Sequence, residues 1–267
     1  MKKNKVFRPT AFAFPYLAVT LVFVIVPLIL VMIYAFRGED GGFSFENFVH
    51  VFSEEAYRTA LLRTIGIAFL ATAVCLLIAY PVAYILSQAP FNKWAILALL
   101  FVVPMWMNFM LRILALNNLL SMLDIPKGLL ASVIGLVYDF FPYMLLPIYT
   151  VLSNMDKSYL EASRDLGASD FKTFWRVTFP LSIPGIISGI SMVFMPIFSS
   201  YAVTDMLGTM STSIIGSKIA VLFTDPITYG DGAALSFVLL LIVLVTMFIG
   251  SLISRRSAKP LKGGSKA

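Results

Sequence analysis

The sequence predicts an all-α polytopic membrane protein with six transmembrane helices. Three observations predict it. The 267 residues are 59% hydrophobic and 13% charged, with a mean hydropathy of +0.90, whereas a soluble domain carries about 25% charged residues. Six apolar segments each reach the roughly 20 residues that a helix needs to cross hydrocarbon. Lys and Arg are also spread unevenly over the segments that connect them. No internal repeat stands out, and no low-complexity region apart from the tail. The whole chain, 1–267, reads as a single transmembrane domain.

The spans fall at about 12–36, 61–87, 94–115, 129–152, 180–204 and 233–253. The first follows a basic head of Lys2, Lys3, Lys5 and Arg8. It is too long for a signal-peptide core, and no small-residue cleavage site follows, so it reads as a retained anchor. The loop after it has Gly38, Gly41 and Gly42, then an amphipathic run from Phe45 to Phe52 that suits a docking protein. The second span holds Cys75, the only cysteine, which reads as a small core residue; no intrachain disulfide can form. In the third, Trp106 and Arg112 read as interface anchors and Asn108 as a helix–helix hydrogen-bonding residue. Pro27, Pro81, Pro104, Pro142, Pro147 and Pro196 lie within spans. Neighbouring helices re-satisfy the carbonyls that such prolines free, and kinked helices suit a bundle that moves. Between the last two spans, Ile214, Ile215, Ile219 and Leu222 predict a short helix on the outer interface, another place for a docking protein.

Topology follows from the charges. With the N-terminus inside, 14 Lys and Arg fall on the inner side and 5 on the outer, leaving out Arg112 near a helix end. That bias places both termini in the cytoplasm. The outer side then carries nine acids, among them Glu46, Glu54, Asp205 and Asp231, and reads as an ordinary solvated face or one that concentrates a cationic solute. The net charge of +6 is no nucleic-acid signal, because the basic residues sit in short loops and tails. A single histidine, His50, leaves no material for a His-based metal site or triad.

One polar segment, Tyr159 to Ile186, is flanked by long apolar ones. It reads as two short helices with a break. Asp156 is placed to cap the first, and Gly167 sits where a left-handed C-cap is wanted. Ser169 caps the second, which Pro180 is expected to end. Phe171, Phe174, Trp175 and Thr178 follow at i, i+3, i+4 and i+7, an aromatic stripe on one face. Such a stripe either packs under a membrane bundle or meets a partner protein.

Within the segment, Glu161-Ala162-Ser163, Gly167-Ala168, Phe179-Pro180 and Pro184-Gly185 resemble the cytoplasmic coupling motif of type I ABC-importer permeases. Ser163 departs from an alanine and Phe179 from a leucine. The resemblance implies that Glu161, Ala162, Gly167, Ala168, Phe171, Phe174 and Pro180 couple the chain to an ATPase, and that 1–267 is one permease domain. The chain has no GxxxxGK[ST] phosphate loop. It therefore takes no cofactor of its own: ATP and Mg are bound by a partner ATPase.

Polar groups in or near the bilayer are the candidates for a substrate pathway. Asp139 lies about ten residues into the fourth span, about 15 Å at ~1.5 Å per residue, near mid-membrane. An acid there reads either as functional or as a structural, paired Asp. Tyr138, Phe140, Phe141 and Tyr143 surround it, as packing or as faces for an ammonium group. Asp205 ends the fifth span, where it greets a cation or is merely solvated.

VPMWMNFMLRILAL (103–116), GLVYDFFPYMLLPIY (135–149) and YAVTDMLG (201–208), with the coupling segment, are similar to the PotB-type permeases of spermidine/putrescine importers. That resemblance spans all six spans and implies a permease subunit that moves polyamines inward by alternating access. The candidates for such a pathway, read from the residues themselves, are Asp139, Asp205, Tyr138, Trp106, Asn108 and Tyr201; the resemblance itself requires no acid at Asp139. The implied partners are a PotC-type second permease, two copies of a PotA-type ATPase, a PotD-type extracytoplasmic polyamine receptor and the lipid bilayer of the cell's cytoplasmic membrane. A permease for sulfate, molybdate or an organic cation is the alternative, and a membrane-embedded channel or enzyme a more distant one.

Overall fold

The computed structural model describes residues 13–38, 40–88 and 100–257. The basic head, Lys93, the first residues of the expected third span and the basic tail from residue 258 lie outside the described residues. The helices, in chain order, are α1 Pro15–Ala35, α2 Glu46–Ser53, α3 Glu55–Ser87, α4 Phe109–Met122, α5 Leu129–Ser153, α6 Ser158–Asp165, α7 Asp170–Ile197, α8 Tyr201–Leu207, α9 Ile215–Leu222 and α10 Tyr229–Ser257. Among the described residues, extended pairing is limited to one antiparallel bridge, Arg37 with Phe43. Among the described residues, five helices are long and apolar enough to cross a membrane: α1, α3, α5, α7 and the stretch Pro226–Leu252.

Two expected spans come out differently. The third is broken: a 3₁₀ turn covers Val103–Trp106, Met107 is extended, and a new helix starts after Asn108. Pro104 removes a donor that a continuous helix needs. Asn108 then accepts from the backbone N–H groups of Met110 at 2.9 Å and Leu111 at 3.3 Å, so it is the N-cap of α4 rather than a helix–helix bridge. The fifth span stops at Ile197, not 204. A turn follows, and Asp205 sits on the separate helix α8.

Pro180 does not end its helix either. The chain runs helically from Asp170 to Ile197, through a π turn at Phe174–Thr178 whose end is marked by Phe179 N–H donating to the Phe174 carbonyl. The same device precedes Pro27, where Leu21–Ile25 is π-helical and Val26 N–H donates to the Leu21 carbonyl. A proline ring clashes with the carbonyl four residues back. Widening the preceding turn to i→i+5 moves that carbonyl away, so the helix continues.

The described chain divides into two compact units, 1–58 with 218–240 and 59–217 with 241–267. In the first, Phe36 stacks on Phe43 with centroids 5.2 Å apart and meets Phe45, Phe48 and Phe237 at 4.9–5.7 Å. In the second, α7 lies along α5. A Cβ on Gly185 would stand 2.9 Å from the Pro147 carbonyl oxygen, and one on Gly189 2.7 Å from the Met144 sulfur. Lipid gives helices no hydrophobic drive to associate, so close packing through small residues does that work. Met144, Leu145 and Ile148 are fully buried along α5. Cys75 is also buried, as expected of a core residue.

The helix expected on the outer interface forms at Ile215–Leu222, but its apolar stripe is not spread on a membrane surface. Ile214, Ile215 and Leu222 are buried in protein. Its first backbone N–H, at Ile215, is satisfied 2.8 Å away by Thr64 Oγ1 on α3.

Candidate functional site: the coupling hairpin and the broken third span

The polar segment folds as a helical hairpin, α6 and the start of α7. Asp156 accepts from the Ser158 backbone N–H at 2.9 Å, one residue before the formal cap at Lys157. That hydrogen bond holds the Asp156 carboxyl below the usual aspartate value. Gly167 has φ +77°, with its N–H on the Arg164 carbonyl at 2.8 Å and the Ala168 N–H on the Ser163 carbonyl at 3.1 Å. This is a Schellman ending. Ser169 caps the next helix through Lys172 N–H at 3.4 Å. Across the hairpin, Ser163 and Thr173 hydroxyls meet at 2.9 Å. The serine that stands where the motif has alanine therefore ties the two helices together. Arg164 and Asp170 add an exposed ion pair at 3.0 Å, a kind that contributes about 0–1 kcal/mol.

The aromatic stripe is split. Phe174 turns inward to Tyr84 at 5.3 Å and Tyr80 at 6.0 Å, and Tyr80 hydroxyl meets Ser182 at 3.0 Å. Phe171 and Trp175 stay exposed, as do Tyr159 and Leu166. Phe174 and its neighbour Trp175 stand about 100° apart around the helix, so the stripe divides between an inward and an exposed face. Of the residues expected to couple to an ATPase, Glu161, Ala162, Gly167, Phe171 and Pro180 are exposed, and Ala168 and Phe174 half-buried.

The polar groups of the spans form two separate clusters. In one, Arg112 in the first turn of α4 donates to Asp139 on α5 and, at 3.1 Å, to the Pro104 carbonyl. Both side chains are buried. Arg112 is thus not an interface anchor. It bolts the broken turn to α5 and neutralises the one acid at mid-span. Tyr138, Pro104 and Arg112 line a largely apolar cavity of about 550 Å³ with Phe101, Val137 and Phe141. Trp106 stands apart, 86% exposed. The second cluster is on α8. Tyr201 and Asp205, one helical turn apart, are both exposed, and the Ser217 hydroxyl donates to Asp205 at 2.5 Å. Gly216 lets α9 approach Tyr201, with a Cβ position 3.1 Å from the tyrosine Cβ.

The family model for the binding-protein-dependent transport system inner membrane component matches residues 4–259. The chain belongs to that family. It is 32% identical, over 85% of its length, to the spermidine/putrescine transport system permease protein PotB of Haemophilus influenzae and to that of Escherichia coli, covering 87% and 90% of them. Its fold matches a chain of a bacterial ABC transporter involved in import of the acidic polysaccharide alginate, with a TM-score of 0.75, 16% identity, and 94% and 96% of the two chains covered. The fold is therefore that of the ABC-importer permeases, and the chain is a transport component of the membrane rather than an enzyme.

In this permease, sequence reasoning missed the partner of Asp139. Arg112 sits 27 residues away, across a break, and its cation lies at the positive end of a helix, where charge of that sign is unfavourable. A cation placed against the dipole inside an apolar segment was the signal for a buried counter-ion.

Proposed function

We propose that this permease conducts polyamines inward as one half of an ABC importer, by alternating access. The observation that carries the reading is the 32% identity to PotB permeases over 85% of the chain. The whole chain acts as one transmembrane permease domain with both termini cytoplasmic, a placement the 14-to-5 bias of Lys and Arg supports. The coupling hairpin then faces the cytoplasm, where its exposed Phe171, Trp175 and Leu166 dock a PotA-type ATPase. Two copies of that ATPase bind ATP and Mg. A PotC-type subunit completes the pathway, and a PotD-type receptor delivers the substrate from outside.

Along the pathway, Asp205 and Tyr201 offer the exposed carboxylate and ring that an ammonium group needs. Tyr138, Trp106 and Asn108 lie on the way inward, and Asp139 acts there through its pair with Arg112. ATP closes the ATPases, the hairpins move with them, and the permease pair opens outward; hydrolysis resets it. The test is uptake of labelled spermidine and putrescine into proteoliposomes holding the chain with its co-expressed ATPase, second permease and receptor. ATP-dependent uptake of either supports the reading. Uptake of sulfate or molybdate but of neither polyamine overturns it.

A further inference from the structure

We propose that α2 is an interfacial helix, seated in the headgroup region of the bilayer beside the end of the first span. At about 100° per residue, its positions fall into three sectors. Asn47, Phe48 and Val51 point to the protein, with Val51 fully buried. Glu46, His50 and Ser53 form a polar exposed sector. Between them, Phe45 at the cap, Val49 and Phe52 form an apolar sector that is 58%, 65% and 53% exposed. An isolated exposed apolar residue needs no explanation; a stripe at i, i+4 and i+7 on a helix with a polar face does.

The position of the stripe identifies what covers it. The stretch Pro15–Ala35 is long and apolar enough to cross the hydrocarbon core. Phe36 is the C-cap, where the chain leaves the helix, so it stands at the end of that span. Phe43, itself 76% exposed, stacks on Phe36 at 5.2 Å, and Phe45 meets both rings at 5.3–5.4 Å. The stripe is thus continuous with the lipid-facing surface of the span.

The helix is also bolted at that height. Asn47 Nδ2 stands within hydrogen-bonding reach, 3.0–3.3 Å, of the carbonyls of Tyr34, Ala35 and Arg37, at and just past the end of α1. His50 Nδ1 lies 2.8 Å from Asp231 in the first turn of α10, the other span end in this unit. Side chains at both span ends hold α2 level with the membrane surface. Its rings cover acyl chains there, and the helix sets the depth of the two spans.

The test uses the assembled transporter in liposomes, with Cys75→Ala and a nitroxide at Val49→Cys, Phe52→Cys or Glu46→Cys. Collisions with oxygen report lipid, and collisions with the water-soluble nickel chelate NiEDDA report water. The expected result is oxygen access several-fold above NiEDDA access at 49 and 52, and the reverse at 46. Brominated lipids should also quench a bimane at 49 and 52 several-fold more than at 46. High NiEDDA access at 49 and 52 would overturn the proposal by making the stripe water-exposed. Exclusion of both reagents would overturn it by making the stripe a protein-docking face. Polyamine uptake by the labelled complexes, measured in parallel, certifies assembly without bearing on where α2 lies.

Discussion

Arg112 and Asp139 form a buried ion pair between α4 and α5, and the same guanidinium holds the Pro104 carbonyl where the third span breaks. The pair closes a charge account that neither residue could close alone. Arg112 stands in the first turn of a helix, against the dipole, and Asp139 in the middle of an apolar one.

Removing one member leaves the other charge buried and unpaired, which costs about 3–5 kcal/mol. Asp139→Asn and Arg112→Gln should therefore each lower the thermal stability and yield of the complex as well as its uptake. Replacing both by apolar residues of similar volume is often neutral, so Arg112→Met with Asp139→Leu should recover stability. Melting of the purified complex decides this. If Asp139→Asn melts with the wild type, the pair carries no structural charge.

The hairpin predicts loss of coupling without loss of assembly. Gly167 at φ +77° admits a β-branched side chain only with strain of about 1–3 kcal/mol, so Gly167→Val should disorder the α6–α7 turn. Glu161 is exposed, and Glu161→Lys reverses charge on the face proposed above to meet the ATPase. Both variants should reach the membrane at wild-type levels, take up little substrate, and show ATPase activity that no longer rises with loaded receptor. Receptor-stimulated ATPase at the wild-type level in both would remove the hairpin from the coupling role.

Much of this was legible in the sequence, for identifiable reasons. Gly167, Ser169 and the ends of α5 were readable because caps and breakers act within a few residues. The fates of Pro104 and Pro180 were not. Both are prolines in helical, apolar surroundings, yet one breaks its span and the other is absorbed by a π turn. The difference lies in tertiary partners: Phe174 has Tyr80 and Tyr84 to pack on, while the Pro104 carbonyl has Arg112 to accept from. The stripe of Ile214, Ile215 and Leu222 was visible as apolar, but periodicity does not say whether protein or lipid covers it.

Close packing of α5 on α7 predicts a steric limit. Gly189→Leu places a side chain against Met144, and Gly185→Val one against the Pro147 carbonyl. Overpacking of this kind costs about 1–3 kcal/mol, and backbone on one side of each site leaves little to yield. Both variants should lower complex yield, and Gly189→Ala less than Gly189→Leu. Wild-type yield and uptake in Gly189→Leu would show that the helices separate there at no cost.

The last prediction concerns Asp205. Its carboxylate is exposed, accepts from Ser217 at 2.5 Å and lies one turn from Tyr201. Asp205→Asn keeps an oxygen for Ser217 and removes only the charge, so assembly and melting should be unchanged, unlike Asp139→Asn. An exposed charge acting on an approaching cation contributes at most about 1 kcal/mol, so the half-saturating concentration of receptor-bound polyamine should rise by no more than about fivefold. Such a contribution is also screened: the Debye length falls from about 30 Å at 0.01 M to about 8 Å at 0.15 M salt. The difference between variant and wild type should therefore be largest at low ionic strength and shrink as salt is raised. Uptake kinetics at two salt concentrations check this. Equal kinetics at low salt would make Asp205 a solvated cap for Ser217, and the cation preference would then have to arise elsewhere along the pathway.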